Sequence, residues 1–125
     1  MEPTTAADLP FRVLWGEDAQ VIRTVWAPGS VGDEAAARAV LTAISSLARL
    51  GAPLLVDMRT MASLDRGARE VFKRDKAGVG AMALLVHSPL TRILANFFMK
   101  SDADGTPTRM FTSESDALVW LRERR

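Results

Sequence analysis

The sequence contains no cysteine, a single histidine and few aromatic residues, which make up 6% of its 125 residues. Without cysteine the chain can form neither a disulfide framework nor a cysteine-based metal site, and it has no thiolate nucleophile. No apolar run approaches the roughly 20 residues that a membrane-spanning helix needs. The first ten residues, MEPTTAADLP, lack the basic and apolar regions of a signal peptide. We therefore expect a cytoplasmic protein.

An excess of charge of one sign is also missing. Sixteen Lys and Arg residues against fifteen Asp and Glu give a formal net charge of +1, so the overall charge does not indicate a nucleic-acid partner. Hydrophobic residues make up 48% and charged residues 25%, as in an ordinary globular domain. A chain of this length fits one domain with a real core. We expect residues 1–9 to be a flexible tail and residues 10–125 to be that domain.

The first half of the chain combines β-type segments, turn signals and one amphipathic helix. Residues 11–15 and 20–26, separated by the turn residues Gly16-Glu17-Asp18, predict a β-hairpin. Asp33 then predicts the N-cap of a helix, which Gly51 ends. The apolar stripe of that helix comprises Ala36, Val40, Ala43, Ile44, Leu47 and Leu50.

The second half repeats a strand–helix unit three times. Continuous apolar runs at residues 54–56 and 81–86 are typical of strands covered on both faces, and residues 108–111 predict a shorter strand. The resulting order, β-β-α-β-α-β-α-β-α, predicts an α/β fold with a single domain. Because the opening hairpin makes the first strand antiparallel, we expect a mixed, mostly parallel five-stranded sheet with four helices.

Each of the last three strands precedes a predicted helix. The second helix should start near Asp65. Ser88 and Ser113 predict the N-caps of the third and the last helix; Pro89 follows Ser88 at the first helical position, and Asp116 follows Ser113 by three residues. The residues predicted to face the core are Ala68, Val71 and Phe72 in the second helix, Leu90, Ile93, Leu94, Phe97 and Phe98 in the third, and Ala117, Leu118 and Leu121 in the last.

This element order, with "LLVDMRTMASLDRG" at the third strand, resembles the STAS family, which contains the bacterial anti-sigma-factor antagonists and the cytoplasmic domains of sulfate transporters. The run "LLVHSPLTRILANFFM…TPTRMFTSESDALVWL" is similar to the ending of a divergent branch that is grouped with lipid-transfer-type domains under a STAS and CRAL-TRIO heading. The resemblance covers residues 11–121. It implies a regulatory domain rather than a particular activity.

In the phosphorylated antagonists of that family, an acidic residue, a serine pair and a glycine follow this strand at the start of the next helix. Here Asp65 stands at the acidic position, but Arg66 and Gly67 occupy the serine-pair positions. Thr60 and Ser63 lie earlier in the loop and do not match the motif. The resemblance therefore implies a member without the usual phosphorylatable serine.

Asp57, at the end of the third predicted strand, is placed like the aspartate of two-component receiver domains. That chemistry needs an acidic pair after the first strand to hold magnesium, and residues 11–15 offer no carboxylate there. The alternative is a structural carboxylate that caps loop amides or pairs with Arg59, and we favour it.

His87 lies beside Ser88 at the end of the fourth predicted strand. Histidine is a common catalytic base, but a hydroxyl before Pro89 is already explained as a helix cap, and no Ser-His-Asp arrangement follows from the spacing. The ends of parallel strands line clefts in α/β folds, so Asp57, His87, Ser88 and Arg92 form a candidate ligand cleft. We assign no catalytic residue.

Two other short patterns resemble known sites only in part. Asp102-Ala103-Asp104-Gly105 lacks the third ligand and the glutamate of a calcium loop. Gly78-Val79-Gly80 precedes a strand, whereas phosphate-binding loops follow one. We therefore predict neither a metal nor a cofactor.

The apolar stripe of the third helix is broader than one packing face. Together with Met99 it suits a pocket for a small apolar or acyl ligand, as the likeness to lipid-transfer-type members implies, or a homodimer surface. Ordinary core packing is the simpler interpretation, and the sequence leaves these alternatives open.

The second helix carries a basic row at spacings of three, four and three residues: Arg66, Arg69, Lys73 and Lys76. In the STAS family this helix and the loop before it, here with Arg59, form the docking face. A solvated helix face is the alternative. We predict that these five residues bind an acidic surface of a protein partner, and that the chain is a non-enzymatic regulatory domain. Apolar-ligand binding is the second hypothesis, and hydrolase or transferase activity is the third.

Overall fold

The computed structural model describes residues 9–16, 20–47, 51–75, 78–99 and 106–124. It contains the predicted strands and helices in the predicted order, with two further short strands. The elements are β1 (Phe11–Gly16), β2 (Val21–Trp26), β3 (Val31–Gly32), α1 (Glu34–Leu47), β4 (Pro53–Asp57), β5 (Ser63–Leu64), α2 (Arg66–Arg74), β6 (Ala81–Leu85), α3 (Pro89–Met99), β7 (Thr108–Phe111) and α4 (Glu114–Arg122). Of the helices so described, none is long and apolar enough to cross a membrane.

The main sheet has five strands in the order β1-β2-β4-β6-β7. β1 pairs with β2 in antiparallel fashion, whereas β2, β4, β6 and β7 are parallel to their neighbours. The predicted mixed, mostly parallel sheet with four helices is therefore confirmed. The sequence did not predict the small parallel pair of β3 with β5, which ties the loop after β4 to the segment before α1.

Three helices cover one face of the sheet and one covers the other. Alternate residues of β4 show this division: Leu54 and Val56 pack in the larger core, which includes α1, α2 and α3, while Leu55 packs in the smaller core with α4. All five residues of β6 are buried, as expected of a strand that is covered on both faces. Phe72 of α2 and Phe98 of α3 join the larger core with ring centroids 4.6 Å apart.

The helices begin where predicted, each at an N-cap. Asp33 accepts a hydrogen bond from the backbone N–H of Ala36 (2.8 Å), and Asp65 accepts one from Ala68 (3.0 Å). Ser113 likewise caps α4 through the N–H of Asp116 at 3.2 Å. Each bond satisfies a backbone donor in the first turn that has no intrahelical partner, so these local signals fix where the helices begin.

The predicted inward face of α3 was partly wrong. Leu90 and Ile93 are 48% and 56% exposed, and the buried residues are Thr91, Leu94, Ala95 and Phe98. Thr91 can be buried because its Oγ1 accepts hydrogen bonds from the N–H groups of His87 and Ser88, both at 2.9 Å. The five apolar residues span more of the helix circumference than the sheet can cover, so one flank stays in solvent.

Smaller corrections apply to the other helices. Leu47 is 37% exposed rather than buried, and Val71 and Leu118 are only partly buried at the edges of their helices. Several predictions fall outside the described residues. They concern the tail at residues 1–8, the turn residues Glu17 and Asp18, Leu50, Lys76 and the segment 102–105.

Neighbouring residues of α3 provide a direct check of this orientation. Leu94→Ala should lower the free energy of unfolding by about 2–5 kcal/mol, because it removes a buried side chain from the core. Ile93→Ala should change it by no more than about 0.5 kcal/mol, because Ile93 is exposed. Urea denaturation of both variants measures the difference, and equal losses would contradict the orientation of the helix.

Candidate functional site

Asp57 and Arg59 form a closed pair at the carboxyl end of β4. The Asp57 Oδ1 accepts hydrogen bonds from the Arg59 backbone N–H (3.2 Å) and Nε (3.0 Å), and its Oδ2 accepts one from an Arg59 terminal nitrogen at 2.8 Å. A fork of this kind is stronger and more directional than a single ion pair. The structural interpretation of Asp57, pairing with Arg59 and capping a loop amide, is confirmed.

The pair belongs to a larger cluster of four charged residues. The carboxylate of Glu114, in the first turn of α4, accepts a hydrogen bond from the Arg23 guanidinium at 3.0 Å. It also lies 3.7 Å from the Arg59 guanidinium. Arg23 comes from β2, so the cluster joins β2, β4, the loop after β4 and the start of α4. A carboxylate at the N-terminus of a helix also interacts favourably with the helix dipole. This arrangement stabilises the loop that precedes α2.

The charges around Asp57 change its titration. Burial would by itself raise the pKa of the Asp57 carboxyl, but the side-chain and backbone hydrogen bonds from Arg59 and the positive charges of Arg59 and Arg23 outweigh it, so the pKa is lowered. The Arg59 pKa is raised above its usual value, first by the hydrogen bond to Asp57. Asp57 is therefore ionised and fully engaged, which suits a structural group better than a proton-transfer group.

The candidate ligand cleft is divided between the two layers of the fold. Asp57 is hydrogen-bonded to Arg59 and lies in the charged cluster with Glu114 of α4. Arg92, in α3, instead contacts the Sδ of Met110 in β7 at 3.9 Å. The Ser88 Oγ accepts a hydrogen bond from the Thr91 N–H at 3.2 Å, as a helix cap does, and the His87 side chain is exposed. Two of the four residues are joined by a backbone hydrogen bond, from the Arg92 N–H to the Ser88 carbonyl oxygen at 3.0 Å, which belongs to the first turn of α3. A shared cleft of these four residues stays a prediction.

The start of α2 has no room for the serine of the phosphorylated relatives. Asp65 caps the helix, and the exposed Arg66 follows. A Cβ added at Gly67 would lie 2.9 Å from the Cβ of Glu34 in α1. Since real side chains do not approach so closely, the observed packing of α1 against α2 requires glycine at residue 67.

The basic row of α2 borders a groove of about 380 Å³ towards α3. Arg66 and Lys73 are exposed, while Arg69 is half-buried and its guanidinium carbon lies 4.5 Å from the centre of the Phe97 ring. Glu70 also lines the groove. α2 ends at Arg74 and Asp75 has extended backbone, and Lys76 lies outside the described residues.

The core contains a small cavity between the sheet and the three helices. It measures about 20 Å³, and its lining includes Trp26, Phe72 and Phe98. A cavity of this size has room for about one water molecule, whereas pockets for small ligands are on the order of 300–1,000 Å³. Among the described residues, no group of three or more acidic or histidine side chains is placed to hold a metal ion.

Sequence reasoning missed two components of these sites. Arg23 and Glu114 are separated by 91 positions in the chain, so no local pattern connects them. Phe97 was assigned to the core, yet it lies half-exposed under Arg69. The width of the apolar stripe on α3 was the available signal, because a stripe wider than a packing face must leave one flank uncovered.

Comparison with protein families and known structures agrees with this architecture. The model of DUF7793, a domain of unknown function, matches residues 14–125. No protein of curated function shows a significant match. Among solved structures, an uncharacterised DUF3478 protein with a SpoIIAA-like fold from Shewanella loihica PV-4 is similar, with a TM-score of 0.56 and 15% identity over 94% of this chain and 98% of that one. At that identity the likeness shows the fold alone, and it confirms the STAS-like fold.

A protein of unknown function from Arthrobacter sp. FB24 is more similar in sequence. The two chains are 41% identical over 87% of this chain and 96% of that one, but the TM-score is only 0.33. The two measures disagree. The sequence identity marks a relative, whereas the superposition is too poor to compare folds, so the fold assignment rests on the Shewanella structure.

The Asp57–Arg59 pair should make stability depend on acid pH. The pKa of Asp57 is lower in the folded chain than in the unfolded one, so its stabilisation is present above the unfolded value of about 3.9 and is lost as the pH falls through the folded value. Asp57→Asn should therefore lose about 1–2 kcal/mol at neutral pH, since Arg59 is partly solvent-screened. The gap to wild type should close below about pH 4.

Denaturant titrations between neutral and acid pH measure this gap. The control is Glu123→Gln, which changes an exposed carboxylate at the end of α4. A gap for Asp57→Asn that stays constant down to the acid limit would show that its charge is not what stabilises the loop.

Introducing a side chain at residue 67 should disturb the packing of α1 on α2. Gly67→Ala and Gly67→Ser should each lower the free energy of unfolding by about 1–2 kcal/mol, because the new Cβ meets the Glu34 Cβ at 2.9 Å. At an uncrowded helix position Gly→Ala instead raises the free energy of unfolding by up to about 1 kcal/mol. The sign of the change for Gly67→Ala therefore shows whether residue 67 is crowded. Arg66→Ser, at the exposed neighbouring position, is the control, and thermal unfolding is the measurement.

Proposed function

Given that the chain belongs to the DUF7793 family of domains of unknown function, we propose that it is a non-enzymatic STAS-like regulatory domain that acts by binding a protein partner. The cytoplasmic location expected from the sequence is part of this proposal. The observation that carries it is the basic row on α2, Arg66, Arg69 and Lys73, beside an open groove at the surface.

Two of the charges of this row, those of Arg66 and Arg69, are available to a partner. Arg66 and Arg69 make no ion pair within the described part of the chain. Arg38 and Arg74, on the α1 side of α2, do have acidic neighbours, Glu34 at 2.9 Å and Glu70 at 3.7 Å. A positive surface that is not neutralised from within attracts a negative one, and the resemblance to STAS domains assigns docking to the same helix.

The start of α2 supports binding that is not switched by phosphate at the family position. Gly67 stands where the phosphorylated relatives have a serine, and its surroundings exclude a Cβ. Arg66, at the other serine-pair position, adds a positive charge where a phosphorylated relative would gain negative charge. We infer that partner binding here depends on the concentrations of the two proteins or on a modification elsewhere.

The two other hypotheses have less support. An apolar or acyl ligand would have to open the core, since the core cavity holds about 20 Å³. For a hydrolase or transferase, Ser88 would have to leave its capping bond with Thr91 before it could act as a nucleophile. Neither observation favours either activity.

The experiment that tests the proposal is affinity capture by the tagged full chain from a lysate of its native cell. One stoichiometric protein should be retained, and light scattering on the free chain should distinguish it from self-association. Retention should weaken with added salt, because the Debye length falls from about 10 Å at 0.1 M to about 3 Å at 1 M. Recovery of no stoichiometric partner under any condition would count against a protein-binding role.

Charge reversal on the exposed part of the row should slow the association. Arg66→Glu with Lys73→Glu should lower the association rate with the captured partner by about tenfold or more at low ionic strength, and the difference should shrink in salt. Thermal stability should be nearly unchanged, because both side chains are exposed. Stopped-flow or surface-plasmon kinetics supply the rates.

The matched control is the double reversal Arg12→Glu with Arg122→Glu, which makes the same change in net charge at exposed positions on β1 and α4. If both double variants slow association equally, the total charge of the domain acts and the row on α2 is not the docking surface.

A further inference from the structure

The exposed flank of α3 lies next to the basic row of α2. Leu90 and Ile93 are 48% and 56% exposed, and the half-buried Phe97 continues their line at helical spacing. The contact of Phe97 with Arg69 shows that this flank faces α2, while Arg92 on the other flank contacts Met110 of β7. The basic row and Phe97 thus line the groove, and Leu90 and Ile93 continue from Phe97 along the same flank of α3.

We propose that this groove binds an amphipathic helix of the protein partner, with carboxylates along one edge and apolar residues along the adjoining edge. The inference rests on the proposed function and specifies the chemistry of the partner. Leu90, Ile93 and Phe97 would receive the apolar side chains, and Arg66, Arg69 and Lys73 would receive the carboxylates. Helix-in-groove recognition combines anchors at this spacing with flanking charges.

The dimensions of the groove suit a helix. α3 has 11 residues and is about 16 Å long, so its exposed flank can run beside roughly three turns of a bound helix. The three apolar residues recur at i, i+3 and i+7, the spacing at which a helix presents one flank to a neighbour. The partner needs the same spacing in its own apolar residues.

Arg69 favours a carboxylate as the group recognised. Its guanidinium is stacked on Phe97, and its Nε is buried without a hydrogen-bond acceptor in the described part of the chain. A guanidinium held in place presents a rigid fork of donors that matches a carboxylate. Because the side chain is already ordered, less conformational entropy is lost when the partner binds.

The groove on the other side of α2 lacks these features. It measures about 720 Å³ and is lined by charges of both signs, among them Glu34, Arg38, Glu70 and Arg74. These four form two ion pairs along their own helices. Val71, the apolar residue in its lining, is partly buried, and α1 offers no aromatic ring there to match Phe97. The groove on the α3 side is therefore the one that combines the basic row with an aromatic side chain and an exposed apolar flank.

An anionic membrane surface is the other chemistry that such a patch could meet, and the charges argue against it. Glu70 stands within the groove, and the chain has a net charge of only +1. Each basic residue near an anionic membrane contributes about 1 kcal/mol, so three of them against one acidic residue hold a domain weakly.

The test uses a displayed library of 16-residue helical peptides selected against the whole chain. Enriched peptides should carry Asp or Glu on one edge and Leu, Ile, Met or Phe at i, i+3 or i+4, and i+7 on the next. Ile93→Ser and Arg69→Gln should each weaken their binding by about tenfold. Enrichment of peptides without acidic residues, or of peptides that bind Ile93→Ser as tightly as wild type, would overturn the proposal.

Two matched controls come from α4 and the turn that follows it, on the opposite layer. Val119 is 50% exposed, like Ile93, and Arg124 lies 4.7 Å from the centre of the Trp120 ring, much as Arg69 lies over Phe97. Val119→Ser and Arg124→Gln should leave peptide affinity unchanged. Equal losses from these controls would overturn the assignment to the α2–α3 groove.

Further outcomes separate this inference from the proposed function. Sedimentation with phosphatidylserine-containing vesicles that depends on Ile93 would overturn the inference in favour of a membrane surface. A captured native partner that is sensitive to Arg66→Glu with Lys73→Glu but not to Ile93→Ser would overturn the inference and leave the proposed function intact. Groove-dependent peptide binding without any native protein partner would support the groove and overturn the proposed function.

Discussion

The fold depends on the burial of β4 and β6 on both faces. The side chains of these neighbouring parallel strands point alternately to the two layers, so a single layer of helices would leave half of them in water. Leu55, Ala83 and Leu85 need α4, and Leu54, Val56 and Leu84 need the other three helices. Because three helices share one face, α2 lies between α1 and α3 and has a groove on each side. The surface that we assign to binding thus follows from the way the sheet is covered.

Much of this could be predicted because its causes are local. A capping residue acts on an N–H three residues away, so Asp33, Asp65 and Ser113 identify their helices without any knowledge of the rest of the chain. The apolar runs of β4 and β6 likewise indicate by themselves that both faces are covered. From such signals the order of elements follows, and the right-handed connection of parallel strands leaves few arrangements of the sheet.

The remaining features have causes that no local pattern contains. The periodicity of α3 gives the angular width of its apolar stripe but not the direction from which the sheet and α2 cover it, so Ile93 and Leu94 could not be distinguished from sequence. The pairing of Arg23 with Glu114 joins β2 to α4 across 91 positions. β3 and β5 have two residues each, too few to show an alternation. The same limit applies to Gly67, whose requirement for glycine comes from Glu34 in another helix.

The contact of Arg69 with Phe97 gives the three basic residues of the groove different roles. Arg66 and Lys73 are exposed, and charges in such positions act at a distance, mainly on the rate at which a partner arrives. Arg69 is held between two helices, so its charge is less mobile, is partly removed from water and interacts more strongly with a charge placed beside it. Its orientation depends on Phe97, which stays at the surface only because α3 exposes one apolar flank. The flank that the sheet leaves uncovered is therefore what positions the most firmly held cation of the row.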